Sequence, residues 1–119
     1  MSERELREQI VEHGRSVSDR GLTPGSSGNI SVRLPDGILN TPTNSCLGRL
    51  DPESLSRLDS VGNLIDGMPP SKEAFLHMVY YRVREKEQAV IHLHSTHSVA
   101  VSCLRDIDPS NVLPSITAY

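Results

Sequence analysis

A chain of 119 residues is long enough for one domain and too short for a comfortable two-domain enzyme. The balance of 12 Lys and Arg against 15 Asp and Glu leaves a net charge of -3, without the basic footprint of a sequence-independent nucleic-acid binder. No apolar run approaches the ~20 residues that cross a bilayer, and the N-terminus MSERELREQI lacks the apolar core of a signal peptide. The expected compartment is therefore the cytoplasm, with no membrane or nucleic-acid partner. Cys46 and Cys103 fit reduced surroundings and, with no neighbouring base in sequence, are expected to be buried small hydrophobes. Phe75, Tyr80, Tyr81 and Tyr119 are the only aromatic residues of the FWY class, too few for a base-stacking platform.

Residues 2–20 predict a helix. Ser2 and Glu5 have capping-box spacing, Leu6, Ile10 and Val17 share a stripe with Gly14 between them, and Gly21 suits the C-terminal cap. The loop TPGSSGN follows, then a strand over 30–34, a turn at Pro35-Asp36-Gly37 and a returning strand over 38–41. After the loop PTNSCLGRL, Asp51-Pro52-Glu53 opens a short helix, and residues 61–67 predict a weak strand and turn. Pro69-Pro70 forces an extended entry to a helix over 72–84 capped by Ser71. AVIHLH, residues 89–94, predicts a short strand, and Ser95 caps a helix running through Val99 to Leu104. This mixture indicates an α/β or α+β domain. The chain stops at SNVLPSITAY, an apolar β-prone stretch, which predicts a last strand that would have continued in a longer domain.

The sharpest chemical feature is His92-Leu93-His94. Positions i and i+2 of a strand share a face, so both imidazoles can meet one ion, and zinc favours imidazole nitrogen. Two partly buried histidines at a strand edge would be the plain structural alternative. His97 falls past the strand end and ranks behind them, and His13 on the first helix is given no role. Glu73 sits in the first turn of its helix, where the dipole favours an ionised carboxylate able to bind a cation or exchange a proton. His77, four residues on, shares its face and is expected to have a packing or supporting role. Three further stretches can receive an anion: the glycine-bearing loop Gly25-Ser26-Ser27-Gly28-Asn29, the polar loop Thr43-Asn44-Ser45, and Ser71-Lys72 at a helix start. Each alone suits a turn or a cap. With a metal pair they suggest a small phosphorylated substrate, and GSSGN matches no nucleotide-binding fingerprint.

In order, GNISVR (28–33), TPTNSCLG (41–48), PSKEAFLH (70–77) and HLHSTHSVAVS (92–102) resemble the class II aldolase/adducin family. TPTNSCLGRLDPESLSRLD and the Ser-Lys-Glu helix start resemble its 3-oxo-tetronate 4-phosphate decarboxylase branch. The resemblance implies a three-layer α/β/α fold around a largely antiparallel sheet, of which residues 1–119 would be the N-terminal portion of a single domain, and a homo-tetramer. It implies a metal-dependent carboxy-lyase making dihydroxyacetone phosphate and CO2 through a metal-stabilised enediolate. Zn²⁺ is the expected cofactor, with Mn²⁺ or Co²⁺ as substitutes. By the same resemblance Glu73 is the acid/base residue and a metal ligand, and His92 and His94 are zinc ligands. Gly28, Asn29, Thr43, Asn44, Ser71 and Lys72 are then the phosphate-binding positions. The family's third zinc histidine comes from a later His-His-Gly segment, and His97 is not at the matching position, so these residues alone are expected to lack activity. The rival functions are a fuculose-phosphate type aldolase, a noncatalytic adducin-like binding module, and a structural remnant unable to fold alone.

Overall fold

The computed structural model describes residues 1–115. Helix α1 spans Glu3–Asp19, and its capping box is closed: Glu5 N–H donates to Ser2 Oγ at 3.3 Å while Ser2 N–H donates to the Glu5 carboxylate at 2.6 Å. Strands β1 (Asn29–Leu34), β2 (Gly37–Asn40), β3 (Ser56–Asp59), β4 (Leu64–Asp66) and β5 (Ala89–His92) form one sheet in the order β4-β3-β2-β1-β5, with every neighbour antiparallel. Helices α2 (Ala74–Val83) and α3 (Thr96–Ser102) and single 3-10 turns at Leu47–Arg49 and Pro52–Ser54 complete the elements.

Strand alternation divides the core into two. Ile30, Leu34 and Leu39 turn toward α1 and pack with Ile10, Leu47, Leu50 and Leu55. On the opposite face Ile38 and Leu58 pack with Ala74 and Tyr81 of α2. Helix, sheet and helix thus make the three layers expected. Gly14 permits α1 to lie close to the first 3-10 turn, since a Cβ there would stand 2.7 Å from the Leu47 carbonyl oxygen. No helix among the described residues is long and apolar enough to cross a membrane.

Several sequence expectations need correction. The helix predicted over 72–84 begins at Ala74, because Ser71 N–H is tied to Thr41 O at 3.1 Å and Pro70 bridges Pro42. This pairing keeps the approach extended and leaves Glu73 at the N-cap. The strand predicted over 89–94 ends at His92. Strand β3 lies where no strand was predicted. The helix predicted to reach Leu104 spans Thr96–Ser102, and the Ser95 hydroxyl bonds Ser98 Oγ at 3.1 Å in place of a backbone cap. Cys46 is half-buried and Cys103 is exposed, because α3, which Cys103 caps, contributes no buried residue. Residues 110–115 form no strand, and the remainder of the predicted last strand, 116–119, lies outside the described residues.

Candidate metal and phosphate site

β5 carries the first ligand candidate by its register with β1, which places His92 opposite Asn29 on the α2 side of the sheet. Alternation continues past the strand end: Leu93 packs against the α1-side core, leaving His94 on the same side as His92 with ring centroids 4.7 Å apart. Glu73, at the head of α2, meets both. Its Oε2 is 3.2 Å from His92 Nδ1 and its Oε1 is 3.9 Å from His94 Nε2. One ligand atom from each of the three residues lies within 4.8 Å of the others. Tetrahedral zinc holding nitrogen at about 2.0–2.1 Å brings ligand atoms to about 3.4 Å from each other, so small side-chain adjustments suffice. His92 Nδ1 is also sequestered from solvent without any hydrogen bond, an orphan that a cation would satisfy. The donor set therefore fits a divalent ion. A hydrogen bond from Asn29 is the largest influence on Glu73. It overcomes the opposing effect of burial, His92, His94 and His77 act in the same direction, and the carboxyl is held below its ordinary range.

A cavity of about 460 Å³ opens beside these ligands. Gly28, Asn29, Thr43, Asn44, Ser71 and Lys72 all line it, together with Glu73 and His94. Thr43 N–H donates to Pro69 O at 2.9 Å, so the loop after β2 and the approach to α2 form one wall. Gly28 has φ +80, and a Cβ there would lie 2.9 Å from Thr23 Oγ1 and 3.1 Å from His92 O, so the loop opposite that wall closes directly onto the end of β5. His97 belongs to exposed α3 and is outside the Glu73–His92–His94 group.

Below the cavity, α2 and β1 meet through polar side chains, of which the sequence spacing links only His77 to Glu73. Glu73, His77 and Tyr81 recur at four-residue spacing on α2, opposite Asn29 and Ser31 on β1. Asn29 Nδ2 donates to Glu73 Oε2 at 2.6 Å, and its Oδ1 faces His77 Nε2 within hydrogen-bond reach. Ser31 Oγ lies 2.6 Å from His77 Nδ1 and 2.8 Å from Tyr81 OH. Burial, helped by nearby His92 and opposed by Glu73, pushes His77 down to about 4, so the ring is neutral at neutral pH. The polar i, i+4, i+8 stripe on an otherwise apolar helix was the available signal for Tyr81.

A family model described as the class II aldolase and adducin N-terminal domain matches residues 8–119. The 3-oxo-tetronate 4-phosphate decarboxylase of Escherichia coli (strain K12) is 48% identical over 118 residues, covering 98% of this chain and 56% of its own length. The L-fuculose phosphate aldolase of Methanocaldococcus jannaschii is 40% identical over 98 residues, covering 82% of this chain and 54% of its own. The crystal structure of YgbL from Escherichia coli superposes with a TM-score of 0.91 at 45% identity, covering 98% of this chain and 57% of that one. The chain spans a little over half the length of these relatives. With a family match across most of its residues and the three-layer fold in common, the chain belongs to the class II aldolase and adducin N-terminal domain family.

Proposed function

We propose that this site serves a metal-dependent carbon–carbon lyase, a carboxy-lyase converting 3-oxo-tetronate 4-phosphate to dihydroxyacetone phosphate and CO2. The supporting observation is that one cavity is bordered by Glu73 and His94, with His92 alongside, and by the hydroxyl, amide and ammonium groups of Thr43, Asn44, Ser71 and Lys72. The decarboxylase name carried by the 48% identical relative supplies the substrate class. Gly28, Thr43, Asn44, Ser71 and Lys72 would receive the phosphate, Asn29 borders the cavity with its amide engaged by Glu73 and His77, and Glu73, His92 and His94 would hold the divalent ion. When bound, that ion supplies a Lewis acid where negative charge develops. Departure of CO2 leaves an electron pair on the adjacent carbon. Glu73 would act only once substrate has displaced it from the ion: freed of that charge, it takes a proton from solvent across the cavity and delivers it to complete the product. A homo-tetramer is part of the same proposal.

The test is turnover by a Zn²⁺-supplied form that extends past residue 119 and carries the third zinc histidine the resemblance implies, following CO2 and dihydroxyacetone phosphate. Glu73→Gln should abolish turnover and largely spare metal binding, whereas replacing His92 and His94 together by Ala should remove the metal. Unchanged turnover in Glu73→Gln would remove Glu73 from the chemistry. The second reading, an aldolase acting on a ketose 1-phosphate, is favoured by the 40% identical L-fuculose phosphate aldolase. Aldehyde release without CO2 would select it. Absence of bound zinc would instead favour a noncatalytic binding module.

A further inference from the structure

The polar side chains beneath Glu73 have a direction that can be worked out from hydrogen-bond chemistry alone. A carboxylate accepts and cannot donate, so the Asn29 group facing Glu73 Oε2 must be the amide Nδ2–H. That leaves Asn29 Oδ1, an acceptor, against His77 Nε2, which must therefore carry the imidazole proton. A neutral ring protonated at Nε2 has a bare lone pair at Nδ1, and the Ser31 hydroxyl 2.6 Å away must donate to it. The Ser31 hydroxyl has then spent its only proton, so Tyr81 O–H donates to Ser31 Oγ. His77 and Ser31 are both fully buried and Asn29 is 3% exposed, so water does not compete for these bonds.

We propose that His77 is a positioning residue: Tyr81 and Ser31 fix its Nε2–H tautomer, which locks the Asn29 amide so that its N–H side always faces Glu73. Were the proton on Nδ1, the bare Nε2 would oppose Asn29 Oδ1, the amide would turn over, and two oxygens would collide at Glu73. The lock holds Oε2 of Glu73 and leaves Oε1, toward His94, as the oxygen free to exchange a proton with the cavity. This consequence for proton transfer rests on the acid/base role proposed for Glu73. The tautomer itself does not depend on that role.

The test combines two NMR measurements with two substitutions of opposite design. Long-range proton–nitrogen spectra at pH 7.5 should show His77 as the Nε2–H tautomer alone; an Nδ1–H form or an even mixture overturns the proposal. His77→Gln keeps an N–H donor near the Nε2 position, whereas His77→Asn keeps only an acceptor near Nδ1. Hydrogen exchange of the Asn29 side-chain amide should stay within about threefold of the parent in His77→Gln and accelerate at least tenfold in His77→Asn. In turnover assays kcat should fall in His77→Asn with KM held, and His77→Gln should restore most of it. Equal exchange in the two variants, at matched thermal stability, overturns the proposal. If either variant fails to fold, Ser31→Ala replaces the pair: it should let the Nδ1–H form appear, and an unaltered tautomer refutes the lock. A correct tautomer together with unchanged turnover in Glu73→Gln would sink the catalytic role of Glu73 alone.

Discussion

Replacing Gly28 by Ala probes how closely the glycine loop packs on the backbone that carries the candidate metal ligand His92. Two costs add. Gly28 has φ +80, and holding an L-residue in that left-handed region costs about 1–2 kcal/mol. The added methyl would also stand 2.9 Å from Thr23 Oγ1, 3.1 Å from His92 O and 3.3 Å from Leu47 Cδ1. Thr23 cannot swing clear freely, because its hydroxyl donates to Ser27 O at 2.6 Å, and the His92 oxygen belongs to the main chain. Overpacking of this kind costs about 1–3 kcal/mol, so the total should be about 3 kcal/mol. Gly25→Ala is the internal control: its φ is also positive, at +57, but nothing lies within 4 Å of the added methyl, and it should pay only the conformational part. Urea unfolding at constant m-value measures the difference, and Zn²⁺ competition against a chromophoric chelator measures the site. Gly28→Ala should lose both stability and zinc affinity, and Gly25→Ala only stability. Equal destabilisation by the two variants, with zinc affinity unchanged in both, would refute the reasoning.

Leu39 is fully buried on β2 in the α1-side core, so Leu39→Ala should cost about 3 kcal/mol in the same unfolding assay, and a loss below about 1 kcal/mol would show that the layer collapses around the gap. Burial pushes the Glu3 carboxyl up, but hydrogen bonds and charges from Arg7 and Arg57 outweigh it and hold the group below its ordinary value of 4.5. A depressed carboxyl adds stability above its unfolded-state pKa and loses it as pH falls through the folded one. Glu3→Gln should therefore lower stability at neutral pH and flatten its decline below about pH 4.5; parallel stability–pH curves would contradict this.

Local chemistry made much of the fold legible. Ser2 and Glu5 marked the start of α1, and Pro35-Asp36-Gly37 marked the hairpin between β1 and β2. What escaped depended on distant partners. β3 reads SRLD, with Leu58 its only strongly apolar residue, and is supported by pairing with β2 and by Arg57 bridging Glu3 and Asp36 at 3.0 and 2.8 Å. The start of α2 was misplaced because Ser71 is a good cap in isolation, whereas its backbone is bonded to Thr41, thirty residues back in sequence (71 − 41). In the site, the i, i+2 spacing of His92 and His94 was visible, but the packing of half-buried Leu93 against the α1-side core that extends it beyond the strand was not. The buried Ser31 and Tyr81 could be connected to Glu73 only once β1 and α2 were laid face to face.

β5 lies at the rim of the sheet, bordered among the described strands by β1 alone. A slip of a single step against β1 would swing His92 and His94 into the opposite layer and bring Ile91 and Leu93 beneath α2. An interior strand has two flanks to check its alignment, whereas this one has a single flank and the half-buried Leu93. Only a correctly threaded β5 presents both imidazoles to Glu73, so an ion held by these three residues, as proposed, would reward the very alignment on which the site depends.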